Sequence, residues 1–167
     1  TLCEDRVLKI LANKDALYNA DGNTQLTATA NVLGQAIPFS GEYGISTNPE
    51  SFASEAYRVY FADRVRGTVM RLSKDGLTPI SVYGMKDWFK DNLKLSNIII
   101  GSHDDKKDEY NVTLKGENIS KTLTFREDIK GWVSFKSFFP ENGLSTANDY
   151  YTFLNGNLYK HHIETVN

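Results

Sequence analysis

Residues 57–81 read YRVYFADRVRGTVMRLSKDGLTPIS, and their pattern decides the fold class. Tyr57, Val59 and Phe61 alternate with Arg58, Tyr60 and Ala62, a polar turn follows over 63–67, and Val69, Arg71 and Ser73 then alternate with Met70 and Leu72. Successive side chains of a strand point to opposite faces, so period-two alternation on both sides of a polar break predicts a pair of antiparallel strands. Asp75-Gly76 marks a second reversal.

The same grammar continues toward the carboxyl end. Ile98-Ile99-Ile100 reads as a strand buried on both faces. A charged turn, 110–114, a Lys115-Gly116 break and 122–125 follow, then a polar turn ending in Gly131 and the run 132–138. In that last run Trp132, Ser134, Lys136 and Phe138 alternate with Val133, Phe135 and Ser137 less cleanly. Pro140 and Gly143 open another loop, and Asn155-Gly156 between 150–154 and 157–163 is the strongest short hairpin signal in the chain. One segment breaks the pattern. Over 84–95 (GMKDWFKDNLKL), Met85, Trp88, Phe89 and Leu93 recur at three- and four-residue spacing, which predicts a short amphipathic helix near 85–93 docked by its Trp88 face.

Upstream, 6–11 has strand character, Asn13-Lys14-Asp15 reads as a turn, and 16–18 is expected to pair back before an Asp21-Gly22-Asn23 reversal. That reversal invites a calcium-loop reading, but the further acidic spacing is missing and Asp-Gly-Asn is foremost a turn sequence. Residues 23–54 change character, punctuated by Gly34, Pro38, Gly41, Gly44 and Pro49. Short strands fit only at Val32-Leu33 and Ala36-Ile37. Such a segment either carries contacts to a partner or packs as an extended arm on its own domain. The chain therefore divides into an amino-terminal hairpin and loop-rich arm, 1–54, and a β region with the short helix, 55–167.

Composition bounds what this architecture can do. With 167 residues, 40% of them hydrophobic, the chain suits one globular domain or a few small repeated units. A net charge of -2 with acids and bases interleaved argues against nucleic-acid binding, which needs a cationic face. The run DDKKDEY, 104–110, reads as a solvated turn. A single cysteine, Cys3, cannot form an internal disulfide or a cysteine-based zinc site. No window approaches the roughly 18–20 apolar residues that span a bilayer. The chain opens TLCEDRV without a methionine, which favours a piece of a longer polypeptide.

Chemistry is weakly signalled. No serine or cysteine sits in a Gly-x-Ser-x-Gly context. His161-His162, taken as neighbours in a strand, are expected on opposite faces and so unable to share a metal. His103 is expected in a turn beside Asp104-Asp105. The carboxylate pairs Asp104-Asp105 and Glu127-Asp128 are expected in exposed turns, where no desolvation raises a pKa for acid-base work. Aromatic residues concentrate at the carboxyl end. Trp132, Phe135, Tyr150, Tyr151 and Tyr159 are the candidate interface or sugar-stacking residues, with interface packing the commoner use. No catalytic, metal-binding or cofactor-binding residue is assigned.

Short turns at fairly regular spacing predict a mostly β meander, compatible with sandwich, barrel or propeller. A propeller-like arrangement is favoured, because 57–80 has the form of one blade's inner strands and 98–138 supplies four strands for the next. At about 40 to 50 residues per blade the chain holds about three units, fewer than close a ring.

The segment VYFADRVRGTVMRLSKDGLTPIS resembles a propeller repeat of the NHL kind at Val59, Tyr60, Asp63, Arg64, Arg71 and Gly76. More broadly, NPESFASEAYRVYFADRVRGTVMRLSKDGLTPIS with GMKDWF, IIGSHDDKKDEYNVTL, TFREDIKGWVSFKSFFPENGLS and YYTFLNGNLYKHH, together spanning 48–162, is similar to a block of large virion structural proteins from the tail or baseplate of tailed bacteriophages. The resemblance implies an assembly role in the virion without enzymatic activity. The expected partners are other virion proteins, further copies of the chain or the rest of a longer polypeptide; charge and hydropathy give no nucleic-acid or membrane partner, and no cofactor is expected. The alternative expectation is a host-recognition module that binds surface carbohydrate.

Overall fold

The computed structural model describes residues 1–10, 16–18, 24–26 and 33–163. They form a mostly β structure of short antiparallel strands with one α-helix. The decisive stretch folds as its alternation requires. Strands β6 (Val59–Asp63) and β7 (Thr68–Ser73) pair antiparallel with Phe61 opposite Met70, and β8 (Gly76–Pro79) returns along β7. Gly67 and Gly76, at φ 66° and 101°, supply the left-handed backbone of the two turns. Strand β5 (Ala53–Ser54) joins the other edge, so this first sheet begins within the segment 1–54.

Helix α1 (Lys86–Leu95) follows, burying Phe89 and Leu93 as its spacing predicts. Strands β9 (Ile98–Asp104), β10 (Glu109–Gly116), β11 (Ile119–Arg126) and β12 (Gly131–Lys136) form a second four-stranded meander. A third sheet has three strands, β13 (Asn142–Thr146), β14 (Asp149–Leu154) and β15 (Asn157–Lys160). Its Asn155-Gly156 hairpin adopts the positive φ values, 52° and 75°, that the Asn-Gly signal demands. Each of these three sheets runs in strict sequence order, and the described residues close neither a barrel nor a propeller ring.

The amino-terminal pairing differs from the expected hairpin. Strand β1 (Leu8–Ile10) pairs with β4 (Ala36–Pro38), while β2 (Ala16–Tyr18) pairs with β3 (Thr24–Leu26). Local closeness in sequence favoured a β1–β2 hairpin, but Val7 continues into a core shared with Phe61 and Met70, and that burial ties β1 to the chain around Phe39. The turns at 13–15 and 21–23, with the calcium-loop reading, and Val32 lie outside the described residues.

The first sheet is greasy on both faces. Tyr60, Ala62 and Val69 enter one core with Phe89, Leu93 and the second sheet, and Phe61 and Met70 enter another with Val7, Ile45 and Leu2. The arm from 42 to 54 therefore packs on its own domain. Asp63, fully buried, accepts from Gly44 N–H (3.0 Å), Ser46 Oγ (3.2 Å) and Arg66 N–H (2.9 Å), and these bonds hold the arm against the β6–β7 turn.

Candidate functional site

The three meander sheets stack in chain order, and the two junctions between them differ in chemistry. First and second sheets share the larger apolar core, in which Tyr60 stacks on Tyr110 at 4.7 Å between ring centroids. In the second sheet Ile99, Tyr110, Val112, Leu114, Leu123 and Phe125 all face that core. Alternation puts Ser102, Asp104, Glu109, Asn111, Thr113, Thr122 and Thr124 on the other face, and they too are buried. That face is a polar seam. Thr113 and Thr122 share a hydrogen bond of 2.8 Å, Thr124 donates to Asn111 at 2.6 Å, and Lys136 pairs with Glu109 at 3.1 Å. The third sheet covers it, with the hydroxyls of Tyr150 and Ser102 at 2.7 Å and Ser145 Oγ donating to the His103 carbonyl at 2.8 Å. Every buried polar group here has a partner, which removes the penalty an orphan would carry.

The histidines stand elsewhere than expected. His161 and His162 follow β15 rather than lying within it; His161, whose N–H still bonds the Tyr150 carbonyl, faces inward beside Tyr150, and a left-handed φ of 58° at His162 brings the next ring inward as well. His161 packs on Phe138 and Tyr150 at 4.6 and 4.9 Å and shares a 2.7 Å hydrogen bond with Thr152, while His162 pairs with Asp104. Burial, and then the neighbouring His162, hold the His161 imidazole below its ordinary pKa. His103 belongs to β9, not a turn. It is buried between Asp105 (2.9 Å) and Asp108 (3.3 Å).

The carboxylate pairs are also corrected, since only one member of each is exposed. Asp104 and Glu127 are withdrawn from solvent, Asp105 and Asp128 are not. Strand ends set this: Asp104 is the last residue of β9 and points into the seam, and Glu127 leaves β11 toward the first sheet, where it meets Arg71 at 2.7 Å, Arg58 at 3.9 Å and the Tyr60 hydroxyl at 2.9 Å. Each buried carboxylate thus already has a basic partner.

The five candidate aromatics separate. Trp132 packs against the larger core and donates its indole N–H to the Ile80 carbonyl at 3.1 Å. Tyr150 is 1% exposed in the seam, where burial pushes its phenol up to about 12. Phe135 meets Trp88 edge-on at 5.8 Å and is exposed beyond it. The register slips between Thr124 and Phe125, leaving Val133 as an extra residue, and so Trp132 and Phe135 come to the same face. This bulge is the cause of the broken alternation over 132–138. Tyr151 and Tyr159 belong to the third sheet, Tyr151 under the Lys160 ammonium and Tyr159 at the outer edge.

Sequence reasoning missed one feature of the third sheet. Its outward face carries Leu144, Tyr151, Phe153 and Leu158 in adjacent register, with Leu144, Phe153 and Leu158 at 42%, 36% and 58% exposure. The signal was available, because Tyr151 and Phe153 alternate with Tyr150 and Thr152 in a strand apolar on both faces. A second feature is an open cleft of about 460 Å³ where β5, β9 and β13, the first strands of the three sheets, converge; Glu50, Phe52, His103, Asp105 and Glu141 line it. Among the described residues no group of three or more His, Cys, Asp or Glu side chains is placed to hold a metal ion, and no helix is long and apolar enough to cross a membrane.

Compared with known proteins, the chain matches no family model and no curated sequence.

Proposed function

We propose that this chain is a structural, non-catalytic module of a phage tail or baseplate, working through protein-protein contacts in the virion. The observation that carries the assembly reading is the outward face of the third sheet. The inner strands of the first two sheets carry buried residues on both faces, whereas Leu144, Phe153 and Leu158 stand together exposed to solvent on one face of the third. Contiguous apolar side chains on a sheet face gain free energy when a second protein surface excludes water from them. The virion location comes from the resemblance over 48–162.

The disposition of charge supports contact over chemistry. Asp104 is bound to His162 and Glu127 to Arg71, and the buried Tyr150 phenol stays protonated near neutral pH. The carbohydrate alternative would draw on exposed rings sharing one plane. Of the five candidates, Tyr150 is buried, Trp132 is half-buried against the larger core, and the others lie on two different sheets, which favours assembly.

Sedimentation velocity over a concentration series is expected to show reversible association of the wild type, weakened by Phe153→Asp, which places a charge in the middle of the row. A wild type that remains monomeric throughout and sediments like Phe153→Asp would overturn the reading.

A further inference from the structure

The third sheet has three strands where the first and second have four. The closing edges of those two are blunted. Strand β8 ends in Pro79, which has no N–H to offer, and β12 is thrown out of register at Val133; both devices discourage pairing with another chain. Strand β15 has neither. It is exposed throughout, contains no proline, and pairs with β14 without a register shift. Its one charge, Lys160, is engaged by Asp149 at 2.6 Å.

The hairpin fixes which backbone groups are free. Its two-residue turn makes Leu154 and Asn157 a hydrogen-bonded pair, and His161 N–H donates to the Tyr150 carbonyl at 2.9 Å. Bonded and non-bonded pairs alternate along an antiparallel ladder, so Thr152 and Tyr159 are also bonded. The N–H and C=O groups of Leu158 and Lys160 therefore point away from β14, where no described residue accepts or donates to them. Beyond Lys160 the chain turns inward, with His162 reaching Asp104, and residues 161–163 leave this edge uncovered.

From this edge we infer that β15 pairs antiparallel with β15 of a second copy about a twofold axis, joining two three-stranded sheets into one continuous sheet. The inference rests on the assembly reading and adds an edge contact between copies to the face contact argued there, since edge pairing leaves the outward row itself uncovered. One register satisfies the free groups: Leu158 opposite Lys160 of the second copy, its symmetry equivalent, and Tyr159 opposite Tyr159 at the non-bonded position between them. This register keeps the two Lys160 ammonium groups from facing each other and lays each Leu158 along a lysine stem. It also brings the two Tyr159 rings together beside the small apolar cleft formed by Phe138, Phe139 and Pro140. The main-chain bonds define the geometry, and the outward rows of the two copies become contiguous.

The test uses Tyr159→Cys in a Cys3→Ser background. Facing residues at a non-bonded antiparallel position have Cα atoms about 4.5 Å apart, within disulfide reach, so mild oxidation is expected to give a covalent dimer. Val133→Cys, on the blunted edge of β12, is expected to give none. Leu158→Pro removes the outward N–H without touching the hairpin's own ladder. It is expected to weaken association at least about tenfold, since two symmetric main-chain hydrogen bonds are lost. If the wild type associates and Phe153→Asp does so more weakly, yet Tyr159→Cys crosslinks no better than Val133→Cys and Leu158→Pro associates normally, edge pairing falls and the assembly reading stands. A strictly monomeric wild type overturns both.

Discussion

Gly101→Ala is expected to destabilise the protein by about 3 kcal/mol or more, at the upper end of what overpacking a core costs. A Cβ at this position would lie 1.9 Å from the Ser51 carbonyl oxygen, a backbone atom that cannot swing aside as a side-chain tip would. The carbonyl is also held in place. It accepts from the Tyr110 hydroxyl at 3.0 Å, while Ser51 Oγ donates to the Asn48 carbonyl at 2.8 Å and accepts from Ala62 N–H at 3.0 Å. Moving Ser51 away from a new methyl group would break bonds to both the first and the second sheet. For a chain of this length such a loss lowers the melting temperature by roughly 10 °C, measurable by calorimetry. A shift below about 2 °C would mean that the two sheets approach less closely than described.

The Gly101 contact also illustrates what could be read in advance. A lone glycine inside the run 98–104 is a known mark of close backbone approach, and the sequence carries that signal plainly. What it approaches is not local: Ser51 lies in a segment that reads as a structureless arm and is in fact wedged between two sheets. The same division holds throughout. Strands β6 to β8, helix α1 and the Asn155-Gly156 hairpin follow from periodicity and turn chemistry within a few residues of one another. The β1–β4 pairing, the burial of His103 and the inward turn of His161 and His162 depend on distant partners, and local pattern gave the opposite expectation for each.

Polarity misled most where the environment was itself polar. Asp104 sits at the head of a charged run, and a solvated turn is the ordinary fate of such a run. Residues 105–108 obey it, but Asp104 and Glu109 flank the turn as the last and first residues of paired strands, and their side chains enter the seam. Hydropathy alone cannot distinguish a polar sheet face that meets water from one that meets another polar sheet. The candidate interface fared differently. Aromatic enrichment marks the carboxyl-terminal sheet, but only register separates Tyr150, facing inward, from Tyr151 and Phe153, facing outward on the same strand.

Glu127→Gln is the second substitution with a large expected effect, about 3 kcal/mol of destabilisation. Its carboxylate is the node at which the turn after β11 is tied to the first sheet, accepting from Arg71 at 2.7 Å and from the Tyr60 hydroxyl at 2.9 Å. Burial, with Glu127 adding to it, raises the Tyr60 phenol far above its ordinary pKa, so this hydroxyl remains a donor at any pH the fold tolerates. The glutamine retains the shape and one acceptor but leaves the Arg71 guanidinium, itself largely withdrawn from water, without a counter-charge. Removing one member of a buried pair typically costs 3–5 kcal/mol, and the residual solvent access of both groups argues for the lower end. Arg58 is less affected, because Glu55 holds it at 2.9 Å. Tyr60→Phe, which deletes one neutral donor from the same node, is expected to cost only about 1 kcal/mol. The double variant Arg71→Met with Glu127→Leu replaces the pair by apolar groups of similar volume and is expected to recover most of the loss, since neither charge is then left unpaired. Urea unfolding of the four proteins measures these differences directly. If Glu127→Gln falls within about 0.5 kcal/mol of the wild type, the size of an ordinary surface substitution, then the junction between first and second sheets is held by the stacked rings of Tyr60 and Tyr110 and the aliphatic core around them, and the charge network contributes nothing measurable.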